Sequence, residues 1–348
     1  MVPSVGAPTV LAMSRYAPHC PDCAGAPQAV PLTYGLPSSE VFEAEERGEL
    51  VIGGCLMVDG PTPRWACPEC RQPLGWEATT PHTVVTAPTD GLTRIATWNL
   101  RECPSPGYAK GYEVARWQEK LSADIWLLTE VHRDWESPSG WFSVSPARGG
   151  ACRDTKRWAG IQTQLPIEPL DDWPTDVAAA EESLCIARVR LPEGAQTTSV
   201  LVACSVLPWR GAGRYWPGIP EKDFNAQQNF VLEHHMNRIG AAWDGEEPIV
   251  WGGDFNQELR TLAPERRAAG YGLAGTVAGI ERLHAAFDRF GLQPLTAGAE
   301  HLNPEAPSID HLAVSKRLAR RNAVVHRPTY ENGTLLSDHA AYVADVEL

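Results

Sequence analysis

The sequence predicts an α/β (α+β) chain: β-sheets carrying helices on their outer faces, preceded by a small zinc-ribbon-like module. Three observations predict it. From residue 93 onward, apolar runs of strand length alternate with segments of helical composition, as expected of sheets with helices packed on their faces. Upstream, five of the nine cysteines fall within residues 19–76, and four of these form two Cys-Pro-x-Cys pairs, so thiols rather than periodicity organise that stretch. Between the two, "EATTPHTVVTAPTDG" (77–91) is rich in Thr and Pro and reads as a linker. The expected division is a loose Pro/Ala-rich tail over 1–18, the ribbon over 19–76, the linker over 77–91 and the main domain over 92–348.

Taken in order, "HCPDCAGAP" and "ACPECRQPLG" supply Cys20, Cys23, Cys67 and Cys70, each pair trailed by small or turn residues. Four thiolates at such spacing give a closed tetrahedral and therefore structural Zn²⁺ site. A module with so little apolar material would fold only with its metal. The long stretch between the pairs has room for extra strands such as "ELVIGGCLMV", and Cys55 within it is expected to be buried. "EAEERGE" (43–49) reads as a solvated face.

In the main domain, "TRIATWNL" (93–100) and "DIWLLTEV" (124–131) are buried strands around a helix over 112–123. Short strands follow near 141–145, 158–164, 183–191 and 198–206. A helix over 222–243 places Phe224, Val231, Leu232, Met236, Ile239 and Trp243 on one face. A strand over 248–252 comes next. A helix over 276–290 then carries Val277, Ile280, Leu283 and Phe287, with Gly291 placed as its C-terminal cap. Strands near 308–314, 322–327 and 340–347 close the sequence.

Composition narrows the function. A formal net charge of −13 argues against sequence-blind gripping of nucleic acid through a basic surface. It leaves room for a phosphate substrate, because a divalent cation can supply positive charge locally. No run approaches the roughly 18 apolar residues of a membrane span, and the N-terminus lacks the basic region and apolar core of a signal peptide. An odd cysteine count with two CxxC pairs suits a reducing cytoplasm.

Polar residues stand at several strand ends where the local pattern calls for apolar ones. Asn99 ends "IATWN", Glu130 ends "DIWLLTE", and Asp254 and Asn256 end "IVWGGDFN". Asp310 sits in "SIDHLAVS", and Asp338 and His339 in "LLSDHAAYVADVEL". Polar ends of buried strands converge at one edge of a sheet. Hard oxygen ligands such as Glu130 and Asp338 suit Mg²⁺ or Mn²⁺. Residues i and i+2 of a strand point the same way, so Asp254 and Asn256 can face one pocket, the carboxylate for water and the amide for a phosphate oxygen. Gly252 and Gly253 let substrate or neighbouring backbone come close. Asp310 beside His339 would favour the imidazolium, fit to stabilise a transferring phosphoryl group, while a neutral ring would serve as general base.

These five stretches, in this order, resemble the exonuclease–endonuclease–phosphatase (deoxyribonuclease I-like) superfamily over about residues 93–348. The resemblance implies a four-layer sandwich of two mixed β-sheets flanked by helices, and a divalent-metal-dependent phosphodiesterase or phosphatase. It implies Asn99 and Glu130 at the metal and phosphate, Asp254 and Asn256 at the water and phosphate, Asp310 orienting His339, and Asp338 near the metal. Many members carry a second histidine, or a tyrosine, at the end of a middle strand. Here that strand reads "SVLVACSVLPWRGAGRYW". Either Ser205 or one of Arg210 and Arg214 replaces that phosphate contact, or it is absent.

Blander readings stand beside these. His234 and His235 read as structural or exposed, and Cys103, Cys152, Cys185 and Cys204 as plain thiols. Trp209 and Trp216, interleaved with the arginines, either pack or stack a base at the site rim. The leading expectation is a nuclease-like phosphodiesterase working by metal-assisted in-line attack of water, on a single-stranded or short nucleic acid rather than a long duplex. The alternatives are hydrolysis of a small phosphorylated molecule, or an adapter whose ribbon recruits a protein while the catalytic fold is idle.

Overall fold

A computed structural model describes residues 19–20, 23, 25–33, 39–52, 65–74, 92–103, 109–132, 135, 142–144, 156–170, 182–192, 195, 197–210, 212, 223–260, 275–302, 306–318, 323–330 and 333–348. The chain divides into a small N-terminal unit and a large unit that holds Thr80–Tyr330 and Leu335–Leu348. In the small unit, β1 (Val30–Thr33), α1 (Ser39–Glu46), β2 (Val51–Ile52), β3 (Trp65–Ala66) and β4 (Pro73–Leu74) give a sheet of order β2-β1-β3-β4. Its apolar clusters are slight: Leu32, Val51 and Ala66 in one, and Ala29 and Leu74 around the cysteines in the other. Most of 43–49 is solvent-facing on and after α1, as its charge predicts. Cys55 and most of its expected strand lie outside the described residues.

The large unit begins with β5 (Thr93–Cys103), α2 (Ala109–Leu121), β6 (Ile125–His132), β7 (Phe142–Val144), β8 (Lys156–Thr163), β9 (Ile167–Pro169), β10 (Leu184–Arg190) and β11 (Ser199–Val206). There follow α3 (Phe224–Ala242), β12 (Ile249–Asp254), α4 (Val277–Arg289), β13 (Leu292–Pro294), β14 (Asp310–Ser315), β15 (Val324–His326) and β16 (Ala341–Val346). They form two six-stranded sheets, of order β15-β16-β5-β6-β8-β7 and β13-β14-β12-β11-β10-β9. Each of these two sheets has one parallel pair, β5–β6 and β11–β12, and its other described pairings are antiparallel. Parallel neighbours need a crossover, and α2 and α3 supply the two.

Period-two alternation then builds four layers. Ile95, Ile125 and Leu127 of one sheet meet Val200, Val202, Val250 and Leu312 of the other in a core between the sheets. Ala96, Trp98 and Leu100 face outward onto Val114, Trp117 and Leu121 of α2. On the far side Leu201, Ile249 and Trp251 face Val231, Leu232, Ile239 and Phe287 of α3 and α4. Strands buried on both faces read as unbroken apolar runs, which is why they stood out in the sequence.

Several details differ from expectation. β12 runs through Asp254, two residues beyond the expected end. β9 and β13 were not anticipated: each has three residues including a proline, lies at a sheet edge, and carries little apolar signal. Val277 is 44% exposed because it opens α4 before the buried stripe begins. His235 is buried, with Nε2 3.0 Å from Ser183 Oγ. Cys185 and Cys204 are buried thiols, and burial pushes Cys204 up to about 12, so it stays protonated. Trp209 packs on Trp158 with centroids 5.5 Å apart, while Trp216, Cys152 and the Cys103 side chain lie outside the described residues. Among the described residues no helix is long and apolar enough to cross a membrane.

Candidate active site

β12 begins as plain core and ends as chemistry. Ile249 and Trp251 face the helices and Val250 faces the other sheet, so alternation sends Gly252 and Asp254 toward that sheet as well. The glycines serve neighbouring backbone. A Cβ on Gly252 would lie 2.8 Å from His311 O, and one on Gly253, whose φ is +131°, would lie 2.0 Å from Ser205 O. β11 and β14 therefore close tightly around this strand and deliver Asp254 to the seam between the sheets.

There Asn99, where the pairing of β5 with β6 shifts register in the opposite sheet, bridges two carboxylates. Its Nδ2 donates to Asp254 Oδ2 at 3.0 Å and to Glu130 Oε1 at 3.3 Å. Its Oδ1 accepts from the Arg101 backbone N–H at 2.8 Å, which fixes the amide's orientation. Glu130 reaches this seam by strain. Trp126 and Leu128 face α2, so strict alternation would have sent Glu130 the same way, but Val131 takes that face instead. Instead Glu130 has φ +54°, in the left-handed region that a branched or bulky residue avoids. Arg101 and Asn256 share that conformation, at +48° and +49°. Such strain at a set of converging polar residues is a mark of a functional site.

Asn256 does not sit one pleat beyond Asp254, because the strand has stopped. Its backbone N–H donates to Asp254 Oδ1 at 3.0 Å, and its Nδ2 donates to Leu207 O at 2.9 Å. Asp254 is paired across the ladder with Asp310 at the start of β14. His339 Nδ1 donates to Asp310 Oδ2 at 2.8 Å. The turn holding His339 is tied to β5: Ser337 Oγ donates to Asn99 O at 2.6 Å and accepts from the His339 N–H at 3.2 Å. Asp338 lies with Oδ1 4.0 Å from His339 Nε2 and Oδ2 3.6 Å from Arg101 Nε.

The electrostatics follow from burying several carboxylates together. Burial pushes Asp254 up to about 7; Asp310 and Glu130 add to this and His339 opposes it. Burial alone would keep His339 neutral, yet Asp310, Asp254 and Asp338 outweigh it and raise the ring well above its usual value. Burial also raises Asp338, but Arg101, His339 and Lys110 outweigh it and leave that carboxyl lowered. Asp310 Oδ1 and Asp338 Oδ1 are buried with no hydrogen-bond partner among the described residues. A surplus of buried carboxylate oxygens, some unpaired, fits a hard divalent cation. Glu130, with Asn99 and Asp254 beside it, and Asp338 are the residues that could hold or surround one.

Two residues are placed elsewhere. Ser205 is fully buried on the helix side, its Oγ accepting from Trp251 Nε1 at 2.8 Å. Arg210 donates to Gly275 O at 2.8 Å and lies over the Phe224 ring. Arg214 lies outside the described residues. Others were missed. Lys156, at the start of β8, is buried with Nζ 3.0 Å from Glu130 Oε2 and 4.0 Å from the Trp158 ring. His301 is buried with its ring 5.1 Å from that of His339. A basic residue opening a strand and a histidine in a loop carry no signal in sequence. Only the pairing of β8 with β6 and the packing of the 300–302 segment reveal them.

In the small unit, Cys20, Cys23, Cys67 and Cys70 gather so that their sulfurs all lie within 4.8 Å of one another. Cys20–Cys70 and Cys23–Cys67 are each 3.7 Å apart. Four thiolates about 2.3 Å from a zinc ion would stand about 3.8 Å apart, whereas a disulfide needs about 2.05 Å. The Cys70 backbone N–H also donates to Cys67 Sγ at 3.5 Å. The cluster is suited to Zn²⁺.

The Endonuclease/Exonuclease/phosphatase family model matches residues 96–339. No curated protein matches the chain. Among solved structures, the AP endonuclease of Leishmania major aligns at 12% identity over 74% of this chain and 88% of its own, with TM-score 0.50. An AP endonuclease from Archaeoglobus fulgidus aligns at 15% identity over 72% and 98%, with TM-score 0.49. The human nocturnin catalytic domain, solved with bound sulfate, aligns at 15% over 74% and 93%, with TM-score 0.48. The likeness to the Leishmania enzyme is one of fold, the four-layer α/β sandwich. The chain belongs to the endonuclease/exonuclease/phosphatase family, whose members are metal-dependent hydrolases of phosphoester bonds.

Proposed function

We propose that the chain hydrolyses a phosphodiester by in-line attack of water, in the manner of a nuclease. One observation carries this reading: the Asn99 amide binds Glu130 and Asp254 at once across the seam between the sheets, with Asp310 on the neighbouring strand holding His339. When bound at Glu130, Mg²⁺ or Mn²⁺ would polarise a phosphoryl oxygen and stabilise the leaving oxygen. Asp254 orients the attacking water and takes its proton, a task suited to a carboxyl whose pKa lies near neutrality. Asn99 holds Asp254 in line from one oxygen, and the Asn256 backbone N–H holds its other oxygen. His339, protonated and fixed by Asp310, stabilises charge as it builds on the phosphoryl group. Asp338 holds the His339 side of the site in balance with Arg101.

The net charge of −13 favours a short or single-stranded nucleic acid over long duplex, and also supports a second reading, a small phosphorylated substrate. The Cys20, Cys23, Cys67 and Cys70 cluster supports a structural Zn²⁺ site in a ribbon over 19–76, joined by a linker over 77–91 to a hydrolase over 92–348, with the ribbon available to a protein partner. The deciding experiment assays the protein with Mg²⁺ or Mn²⁺ against single- and double-stranded nucleic acids, phosphorylated small molecules and bis-p-nitrophenyl phosphate. Asp254→Ala and His339→Ala are each expected to lower turnover about 10²–10⁴-fold. Turnover unchanged in both variants would overturn the site, and inactivity toward every phosphoester with metal present would favour the adapter.

A further inference from the structure

We propose that His301 is a second substrate-contacting histidine of the site, its Nε2 meeting the same phosphoryl group as His339; this rests on the phosphoesterase reading above. Among the described residues the middle strand and its end supply no such group, since Ser205 is bound to Trp251 and Arg210 to Gly275. His301 reaches the site from another direction, between β13 and β14. Its ring stands edge-on to that of His339, with centroids 5.1 Å apart and planes at 69°. A ring nitrogen of His301 lies within 4.8 Å of both an Asp310 carboxylate oxygen and a His339 ring nitrogen.

His301 is only 5% exposed, yet Nε2 has no hydrogen-bond partner among the described residues. Buried polar nitrogens are nearly always paired, so one left open beside a reactive pair wants a ligand. The backbone carrying it is held firmly. The His301 N–H donates to Ala306 O at 2.8 Å, Arg327 Nη2 donates to His301 O at 3.1 Å, and Tyr342 Oη donates to Glu300 O at 3.0 Å. A site residue needs such support to keep its geometry. Burial, reinforced by the charge on His339, pushes His301 down to about 3, so the ring is neutral at physiological pH. A neutral imidazole offers one N–H and one lone pair, and in the Nε2–H tautomer it donates to a phosphoryl oxygen beside the charged His339.

His301→Phe keeps a ring against His339 and removes the nitrogens. It is expected to fold and to lower kcat/KM on bis-p-nitrophenyl phosphate about 10- to 100-fold. Inhibition by inorganic phosphate should weaken in parallel, and His301→Asn should recover part of the loss. Wild-type kcat/KM and phosphate inhibition in His301→Phe would show that the ring only packs, and would overturn the proposal while leaving the phosphoesterase reading intact. A second measurement decides the matter should that variant misfold or the wild type prove inactive. In the ¹⁵N-histidine-labelled full chain, saturating inorganic phosphate should shift Nε2 of His301 together with the ring of His339. A shift at His339 alone overturns this inference, and no shift at either ring counts against both it and the phosphate site.

Discussion

The two units reach stability by opposite means. The small unit has Leu32, Val51 and Ala66 in one apolar cluster, with Ala29 and Leu74 packed around four thiols in the other. The large unit fully buries Trp98, Trp126, Trp158 and Trp251 and covers both faces of both sheets. Apolar burial contributes roughly 25 cal/mol per Å², so the small unit cannot offset its chain entropy without help from its sulfurs. The large unit draws on three apolar clusters and carries strained residues and crowded carboxylates at its seam. What one unit gains from polar groups, the other loses to them.

The sharpest way to break that contrast is to deny the four thiols the Zn²⁺ proposed for them. Chelation, or Cys67→Ser, is expected to deprive the small unit of a binding free energy on the order of 10 kcal/mol and unfold it. Hydrogen exchange would show the amides of β1 and β3 losing protection while those of β5, β6, β11 and β12 keep theirs. Unchanged protection in the small unit under chelation and in Cys67→Ser would mean that its apolar clusters suffice.

Trp251→Ala tests the other side. The ring packs against Phe255, Phe287 and Phe290 with centroids 5.6, 5.5 and 6.1 Å away. Truncation leaves a cavity and frees Ser205 of its indole partner, at a cost of about 3–5 kcal/mol. A urea midpoint for the large unit that fails to fall would remove Trp251 from the centre of its core.

Acid provides a smaller effect of known sign. His311 and His326 are pushed down to about 4 by burial, against an ordinary value of 6.5. His311 is bonded as a neutral ring, with Nε2 donating to Gln257 O at 2.6 Å and Nδ1 3.0 Å from Thr296 Oγ1. The unfolded chain binds protons first, so the stability these rings contribute is complete above pH 6.5 and is lost as pH falls through 4. At pH 5 the loss is about 2 kcal/mol for each. His326→Gln should flatten the large unit's stability between pH 7 and pH 5 by about that amount, measured by denaturant titration; an unaltered slope would exclude His326 as a source.

Much of this site could be read in sequence because a carboxylate, amide or imidazole ending an apolar run is conspicuous. Asn99, Glu130, Asp254, Asp310, Asp338 and His339 all come together, and the layers follow from alternation. Parity was also available for Ser205: Leu201 and Ala203 face the helices, so Ser205 does too. The inference for Asn256 failed for a different reason. It assumed that the pleat continues, whereas Asp254 turns the chain by accepting from the Asn256 N–H. The left-handed conformation of Glu130 has no signature in residue type, and the approach of Lys156 to Glu130 depends on strand register. Local patterns show which residues are out of place. Only the pairing and packing of distant segments show what they meet.

The last and smallest effect concerns what the seam costs the fold. With Asp254 raised from 3.8 to about 7, the folded protein holds that proton more tightly than the unfolded chain does. Its carboxylate therefore destabilises metal-free protein above pH 7, and the penalty is relieved as pH falls toward 3.8. Asp254→Asn removes the charge at nearly constant volume and keeps an oxygen for the Asn256 N–H. It also sets an amide N–H₂ against Asn99 Nδ2, now 3.0 Å from Asp254 Oδ2, which cancels part of the gain. The net expectation is about 1 kcal/mol of added stability at pH 8 without metal, in a protein that has lost its turnover. Mg²⁺ or Mn²⁺ should raise the midpoint of the wild type and raise that of the variant less, because binding to the folded state alone stabilises by mass action. A variant less stable than wild type in metal-free buffer would mean that the hydrogen bonds to Asp254 outweigh its repulsion, and that the seam is not a place where the large unit gives up stability for chemistry.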